Sequence, residues 1–483
     1  MSQDKNIGEI AREIIVPEDE QPYEVPDNWV WVRFGKVIEI NPKKPKLTYS
    51  DETLCSFLPM NMVNPETGKI YGLEERAFCK VNTGYSYFEE NDVLFAKITP
   101  CMENGNSVIA KGLKNNFGFG STEFFVLRTS EYIAESFVHH LVRSERFRKQ
   151  AKQVMTGAVG QQRVPKKFIE DYPLALPPID EQRRISDKVE RLLNKIDEAK
   201  KLIEEAKETF KLRRAAILDK AFCGELTRKW REENPKSTFP LKNVKKVHEN
   251  ILFPNNWVVS DFQSVAADKK YSLAIGPFGS NLKVTDYTED GVPLVFVRNI
   301  RSSNFNLEPK YISVEKANKL AAHTVHAGDV LITKMGDPPG DSTICPSNIE
   351  KAVITSDCIK LTVNSEIMNN KFVMYAIRAP YIHKQILEQA KGVAQQKISL
   401  EIFKKMRIPV PSLEEQEEIV KQLEQYIESE IETMSNIESV LGTLLKLEQS
   451  ILTNALQGKL GTNIRGEESV IELLREVVQE QGK

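Results

Sequence analysis

Two short polar stretches carry residue types suited to reading nucleic-acid bases: Gln161-Gln162-Arg163 and Gln395-Gln396-Lys397. A glutamine amide can pair with adenine, and arginine or lysine with guanine, along the major-groove edge of a base pair. Adjacent glutamines are also ordinary hydrogen-bonding loop residues, so both readings stand at this point. Before the first stretch, Arg143, Arg146, Arg148, Lys149 and Lys152 face Glu145 alone, a basic helical run fit either for phosphates or for solvent. Before the second come Arg378, Lys384 and Lys391. Lys97 and Lys334 close two Asp-Val-Leu-x-x-Lys frames, at Asp92 and Asp329, and Arg298, Asn299 and Arg301 follow the apolar run VPLVFV.

Catalytic patterns are missing. The sequence has no Walker phosphate loop and no nucleophile elbow. Gly336-Asp-Pro-Pro-Gly340 resembles the Asp/Asn-Pro-Pro-aromatic site of amino-methyltransferases, but glycine stands where the aromatic ring should stack on a base. Six cysteines form no C-x-x-C pair, which predicts reduced thiols in a cytoplasmic protein. Histidine spacing offers no metal site either; His139-His140 and His323/His326 read as packed or surface residues.

The elements that must position these residues come in two copies. Residues 161–227 and 395–461 align without a gap at an offset of 234, pairing Pro177 with Pro411, Glu181-Gln182 with Glu415-Gln416, and Gly224 with Gly458. Each copy reads as a proline stop, a helix start, a long helix and a glycine stop. Ser412-x-x-Glu415 is a capping box, and Asp180 offers the equivalent oxygen in the first copy. Heptad steps run through Ile185, Val189, Leu192, Ile196, Ile203 and Phe210, and again through Ile419, Leu423, Ile437, Val440, Leu444 and Ile451. The second seam is interrupted by Glu430 and Thr433. Helices this long space domains rather than fill one core, and the simplest closed arrangement pairs them antiparallel. Free dimerisation arms are the blander alternative.

Ahead of each helix lies a β-rich unit opened by tryptophan, PDNW at Trp29 and PNNW at Trp257, offset by 228. The Asp-Val-Leu frames are offset by 237, so the frames persist while the loops change length. Each unit ends in a helical stretch, near 131–155 and 367–391. The expected class is α+β: two α/β domains of one fold with mostly antiparallel sheets, separated by two long antiparallel coiled-coil helices in an internal pseudo-twofold. The predicted divisions are a loose polar segment 1–22, a first domain 23–178, a helix 179–227, a basic linker 228–250, a second domain 251–411, a helix 412–460 and a tail 461–483. The linker holds seven Lys/Arg against two Glu over residues 228–246, a composition open to a phosphate-facing role. The tail run SVIELLREVV suits docking.

Composition bounds the rest. The 483 residues are 41% hydrophobic and 28% charged, as in globular chains, and contain no membrane-length apolar run. A net charge of −2 predicts weak nucleic-acid binding unless basic residues are segregated or a partner helps.

The tryptophan openings, the DVL-x-x-K frames, the LPPIDEQRRI and VPSLEEQEEI junctions and the AFCGEL and ALQGKL endings together resemble the specificity subunits of type I restriction–modification systems. The resemblance covers nearly the whole chain. It implies that the globular units are target-recognition domains, each reading one half of a split double-stranded DNA sequence. It also implies that the helices recruit methyltransferase subunits, two in number, and that restriction/translocase subunits join them. The chain itself would then need no cofactor, while its partners would use S-adenosylmethionine, ATP and magnesium. The DNA-binding candidates, for bases or phosphates, are Lys97, Arg143, Arg146, Lys149, Gln161, Gln162, Arg163, Arg298, Asn299, Arg301, Lys334, Lys391, Gln395, Gln396 and Lys397. The rival reading is an assembly adaptor whose domains bind proteins.

Overall fold

The computed structural model describes residues 13–235, 253–390, 396–464, 466–467 and 470. The chain divides into two compact units, Met1–Leu202 with Glu438–Lys483, and Ile203–Ile437. The boundary between units cuts through both long helices, Ile179–Phe222 and Leu413–Leu456. Each helix has 44 residues, which at ~1.5 Å per residue makes roughly 66 Å.

The first unit holds two four-stranded sheets. One runs Ile38–Ile40, Phe124–Thr129, Val93–Ala96, Ser107–Ile109, antiparallel throughout. The other runs Glu74–Ala77, Leu54–Leu58, Phe117–Gly120, Ser86–Glu89, with Leu54–Leu58 and Phe117–Gly120 parallel. Leu58, Phe88, Leu94, Val108, Phe124 and Val126, drawn from both sheets, form one buried cluster. The second unit repeats this order. Leu273–Ile275, Cys358–Leu361, Val330–Thr333 and Ser342–Ile344 make the antiparallel sheet. Tyr311–Ile312, Val292–Val295, Ala352–Ile354 and Thr324–Val325 make the other, again with its two central strands parallel and with Tyr287–Thr288 added at the edge. The expectation of one mostly antiparallel sheet per unit is thus corrected to two main sheets per unit, one antiparallel throughout and one with a single parallel pair.

In both units the tryptophan-led strand pairs with the strand that feeds the long helix: Val30 opposite Leu176, and Val258 opposite Val410. Directly after this ladder, each long helix buries a glutamine in its first turn. The Gln182 amide donates to the carbonyls of Pro177 (2.9 Å) and Tyr132 (3.1 Å) and accepts from the Ala134 N–H (2.9 Å). The Gln416 amide donates to Pro411 (3.0 Å) and Ile367 (2.9 Å) and accepts from the Asn369 N–H (2.8 Å). These bonds tie helix start, proline stop and late helix together, satisfying backbone groups that burial would otherwise orphan.

The neighbouring glutamate holds the end of the other helix. In the first unit Glu181 accepts from Trp29 Nε1 (2.9 Å), Asn463 (2.9 Å) and Thr462 (3.3 Å). In the second, Glu415 accepts from Thr227 (2.7 Å), Asn256 (3.3 Å) and the Arg231 guanidinium. Gly458 packs on Pro26 and Gly224 on Pro254, both glycines with positive φ, as the predicted helix stops require.

The helix directions are antiparallel in the first unit, where Lys188 reaches the Leu460 carbonyl and Lys200 pairs with Glu448 at 2.9 Å. In the second unit Ala221 and Phe222, ending one helix, share a buried cluster with Ile419 and Leu423, starting the other. Of the predicted seam, Ile185, Val189, Ile196, Ile419, Leu423 and Ile451 are buried, and Leu192, Ile203, Phe210, Ile437 and Leu444 are half-buried. Val440 departs from it: it is 48% exposed, although Ile437 and Leu444 on either side are half-buried.

Several local expectations change. The segment 1–22 is not loose throughout, since Ile14 and Val16 are buried in the first unit's core. Ser412 caps its helix by accepting from the Glu415 N–H (3.3 Å), but the Glu415 carboxylate turns to Thr227 and Arg231 instead of closing the box. Asp180 caps nothing and pairs with Arg183 at 3.1 Å. Part of the expected linker is the short helix Arg228–Glu233, whose Arg231 is committed to buried Glu415 and so does not face a phosphate. Residues 236–250 of it lie outside the described residues. In the tail, Val470 is buried in the first unit's core, and Glu467 pairs with Arg184 at 2.6 Å.

Candidate nucleic-acid interface

The candidate edge of each unit forms where two separated sequence frames meet. In the first, the strand Val93–Ala96 delivers Lys97, whose carbonyl accepts from the Val164 N–H (2.9 Å), and Ile98 bridges Arg163. Thr99 N–H donates to the Gln162 carbonyl (3.0 Å), and its hydroxyl accepts from the Gln162 N–H (3.1 Å). Arg163 also bridges Thr156, so residues 156–163 fold back as a hairpin with Val159 at its tip, 99% exposed. Gly157 and Gly160 supply the positive φ the reversal needs.

The second unit repeats the junction. The Lys334 carbonyl accepts from the Ile398 N–H (3.1 Å), and Met335–Gly336 pairs with Gln396–Lys397. At this register Gly336 stands where Thr99 stands in the first unit, and the Asp337-Pro338 pair of the methyltransferase-like loop follows it. Asp92 and Asp329 act below this edge. Asp92 accepts from the Glu89 N–H (2.7 Å) and from Nε and Nη2 of Arg128, while Asp329 accepts from the His326 N–H (2.9 Å) and Thr362.

Not every candidate reaches the edge. Lys97, Gln161, Gln162 and Arg163 are brought together in one unit, and Arg301, Lys334, Gln396 and Lys397 in the other. Lys391 and Gln395 lie outside the described residues. Two candidates are withdrawn because they are buried and bonded within the fold. Arg143 is 8% exposed and donates to the carbonyls of Glu66 and Pro65, and burial pushes its pKa down. Asn299 is 2% exposed, accepting from the Phe296 N–H and donating to Asn304 and Leu307. Arg298 is held to its own loop by the Glu308 carbonyl (2.6 Å) and the Phe296 ring. On the basic helix, Arg146 lies over the Tyr23 ring and exposed Lys149 pairs with Glu145 at 2.7 Å, a solvated face apart from the Gln161 junction.

Two acidic residues of this edge had no signal in the spacing. Glu123 clasps Arg163 through two oxygens, at 2.7 and 3.0 Å, and that fork holds its carboxyl below the usual carboxylate range. Asp341 accepts from Arg301 Nε at 2.8 Å. Their partners are 40 residues away in each case, so only the folded chain reveals them. Among the described residues no group of three or more His, Cys, Asp or Glu is placed to hold a metal, and no helix is long and apolar enough to cross a membrane.

The family model of the type I restriction modification DNA specificity domain matches residues 26–208 and 287–442. The EcoAI specificity subunit of Escherichia coli is 37% identical over 191 residues, covering 39% of this chain and 32% of the relative. The EcoEI specificity subunit of the same organism is 36% identical over 179 residues, 37% of this chain and 30% of the relative. The match thus spans a minor part of either relative's length. The MjaVIII specificity subunit of Methanocaldococcus jannaschii is 23% identical over 446 residues, 90% of this chain and 94% of the relative. A chain from a solved type I restriction–modification assembly superposes with a TM-score of 0.69 at 21% identity, covering 91% of this chain and all of that one. The crystal structure of the HsdS subunit from Thermoanaerobacter tengcongensis gives 0.59 at 22%, covering 91% and 99%. At those identities the structural matches speak for the fold. With two matched regions laid over two copies of one architecture, the chain belongs to the type I restriction–modification DNA specificity family.

Proposed function

We propose that this chain reads a split double-stranded DNA target, one half per unit, and carries methyltransferase and restriction/translocase subunits to it. The observation that carries the reading is the doubled junction of Lys97 with Gln161–Arg163 and of Lys334 with Gln396–Lys397. One backbone frame presents different side chains in each unit, the requirement for reading two unlike half-sites. Methyl transfer and cleavage belong to the partners, which would supply the S-adenosylmethionine, ATP and magnesium chemistry; this chain's part is to bind and orient.

Exposed aliphatic residues on the long helices support the recruiting role. In the first unit Leu202, Val440, Leu445 and Leu447 are 65, 48, 57 and 48% exposed, and in the second Leu212 and Ile431 are 73 and 64% exposed. Exposed apolar groups gathered on helices favour protein partners.

The test is a methylation map. The chain is co-expressed with its methyltransferase partner in a host lacking such marks, and the DNA is read for modified bases. A two-part motif with a fixed unspecified spacer, present only with this chain, is the expected result. A stable, active complex that leaves no new sequence-specific mark would overturn the reading in favour of a protein-binding adaptor.

A further inference from the structure

Both junctions present an exposed arginine whose guanidinium is gripped by a carboxylate, although the arginines come from different places in the repeat. In the first unit it is Arg163, within the glutamine stretch. In the second that position is Lys397, and Arg301 arrives instead from the short helix Val297–Ser302. Arg301 lies against Gly336, where an added Cβ would collide with its guanidinium, and Gly336 pairs with Gln396. The glycine thus leaves room for the arginine beside the glutamine. The Gln396 Oε1 is buried there without a hydrogen-bond partner among the described residues.

An arginine has five N–H donors in a rigid plane. Glu123 takes the Nε donor and one Nη2 donor of Arg163, and the Gln161 carbonyl takes one from Nη1 at 3.1 Å. One donor on Nη1 and one on Nη2 remain for a ligand. Two parallel donors match the O6 and N7 acceptors of guanine. A freely rotating arginine suits any phosphate, whereas one locked side-on by a carboxylate presents a fixed edge, at the cost of placing a negative group near DNA. That cost is hard to reconcile with a phosphate clamp and suits base selection.

We propose that Arg163 and Arg301 each select a guanine in their own half-site, with Glu123 and Asp341 as the residues that position them. This rests on the DNA-reading role proposed above. The two-oxygen fork of Glu123 fixes its arginine more firmly than the single bond from Asp341, so the first half-site depends more steeply on its carboxylate.

The experiment is the methylation map repeated with Arg163→Lys, Glu123→Gln, Arg301→Lys and Asp341→Asn in the full chain with its methyltransferase partner. Lysine keeps the charge but loses the planar fork. Arg163→Lys is expected to relax one guanine-bearing position of the first half-site, with a loss of preference of about 5–150-fold, and to leave the second half-site unchanged. Glu123→Gln relaxes the same position less. Arg301→Lys and Asp341→Asn do the same in the second half-site only. The untouched half-site reports in each case that the chain is folded and the complex active. An unchanged motif, relaxation at a position without guanine, or a uniform fall in methylation with both halves intact overturns the proposal. If the unsubstituted chain directs no two-part motif, the DNA-reading role itself has failed, a result visible before any variant is made.

Discussion

The two units hold their helices with one shared device and one that has diverged. Gln182 and Gln416 make the same three bonds to the same backbone positions. Glu181 and Glu415, one residue earlier, differ in what they bind. The first unit satisfies its glutamate with neutral donors, Trp29, Thr462 and Asn463. The second uses a cation, Arg231, and leaves Trp257 Nε1 buried without a partner among the described residues. Backbone-directed bonds persist because the backbone repeats, while side-chain partners drift as long as the buried carboxylate stays compensated. The same division separates the frame of the candidate edge from its side chains.

Substitutions can break this comparison, and the largest effect is expected at Glu415. Glu415→Ala strips Arg231 of its buried partner and should destabilise the second unit by about 3–5 kcal/mol. Glu181→Ala orphans only neutral groups and should cost the first unit about 1–3 kcal/mol. Hydrogen exchange of the two units in denaturant measures both, and equal costs would contradict the account. Gln182→Leu and Gln416→Leu should instead cost the same in their respective units, about 2–3 kcal/mol, because each leaves the same buried carbonyls unpaired; unequal losses would show that the shared device is not shared energetically.

Acid sharpens the contrast. His139 and His140 of the first unit are buried and held neutral, burial pushing their pKa values down to about 3 and about 4. Around them stand Arg143, Lys111, Glu190 and Asp197. The unfolded histidines take a proton near pH 6.5 while the folded ones refuse it until far lower. Stability is therefore whole above about pH 6.5 and lost as the pH falls toward 4 and 3, at up to about 1.4 kcal/mol per pH unit for each histidine. Met374 and Tyr375 occupy the matching positions in the second unit, which lacks this source of acid sensitivity. Unfolding followed by unit between pH 7 and pH 4 checks it; parallel loss of exchange protection in both units would count against the histidines.

Smaller effects separate the tryptophans. Trp29→Phe removes a donor from buried Glu181 and should cost about 1–2 kcal/mol beyond the change in ring size. Trp257→Phe removes an unpaired N–H and should cost less. Val440→Ser should move folding stability by no more than about 0.5 kcal/mol, since that side chain is outward. A substantial loss in the isolated chain would return Val440 to the helix seam.

Much of the architecture was legible because it was written twice. A constant offset exposed Glu181-Gln182 and Glu415-Gln416, and heptad steps marked Ile185, Val189, Ile419 and Leu423 as inward. Val440 escaped because the seam around it is only partly covered, with Ile437 and Leu444 half-buried, and spacing does not tell which side chains of such a stretch are shielded. The edge of each unit was half legible: Lys97 and Arg163, or Lys334 and Gln396, stood out as residue types, but their adjacency depends on strand pairing across distant sequence. Arg143 and Asn299 misled for a related reason, since composition shows that a side chain is polar but not that a carbonyl lies waiting for it in the interior. Glu123 and Asp341 carried no pattern at all.

The division of each long helix between two units also sets an order of events during synthesis. The second unit has all its residues once Ile437 has been made, whereas the first waits for Ile451, Leu452 and Ala455 to complete its core. From Leu202 to Leu456 the ribosome adds about 250 residues, some 13–50 s at ~5–20 residues per second. Throughout that interval the core that holds Ile185, Val189 and Ile196 lacks the part that Ile451, Leu452 and Ala455 supply, so the domain begun first is the one finished last.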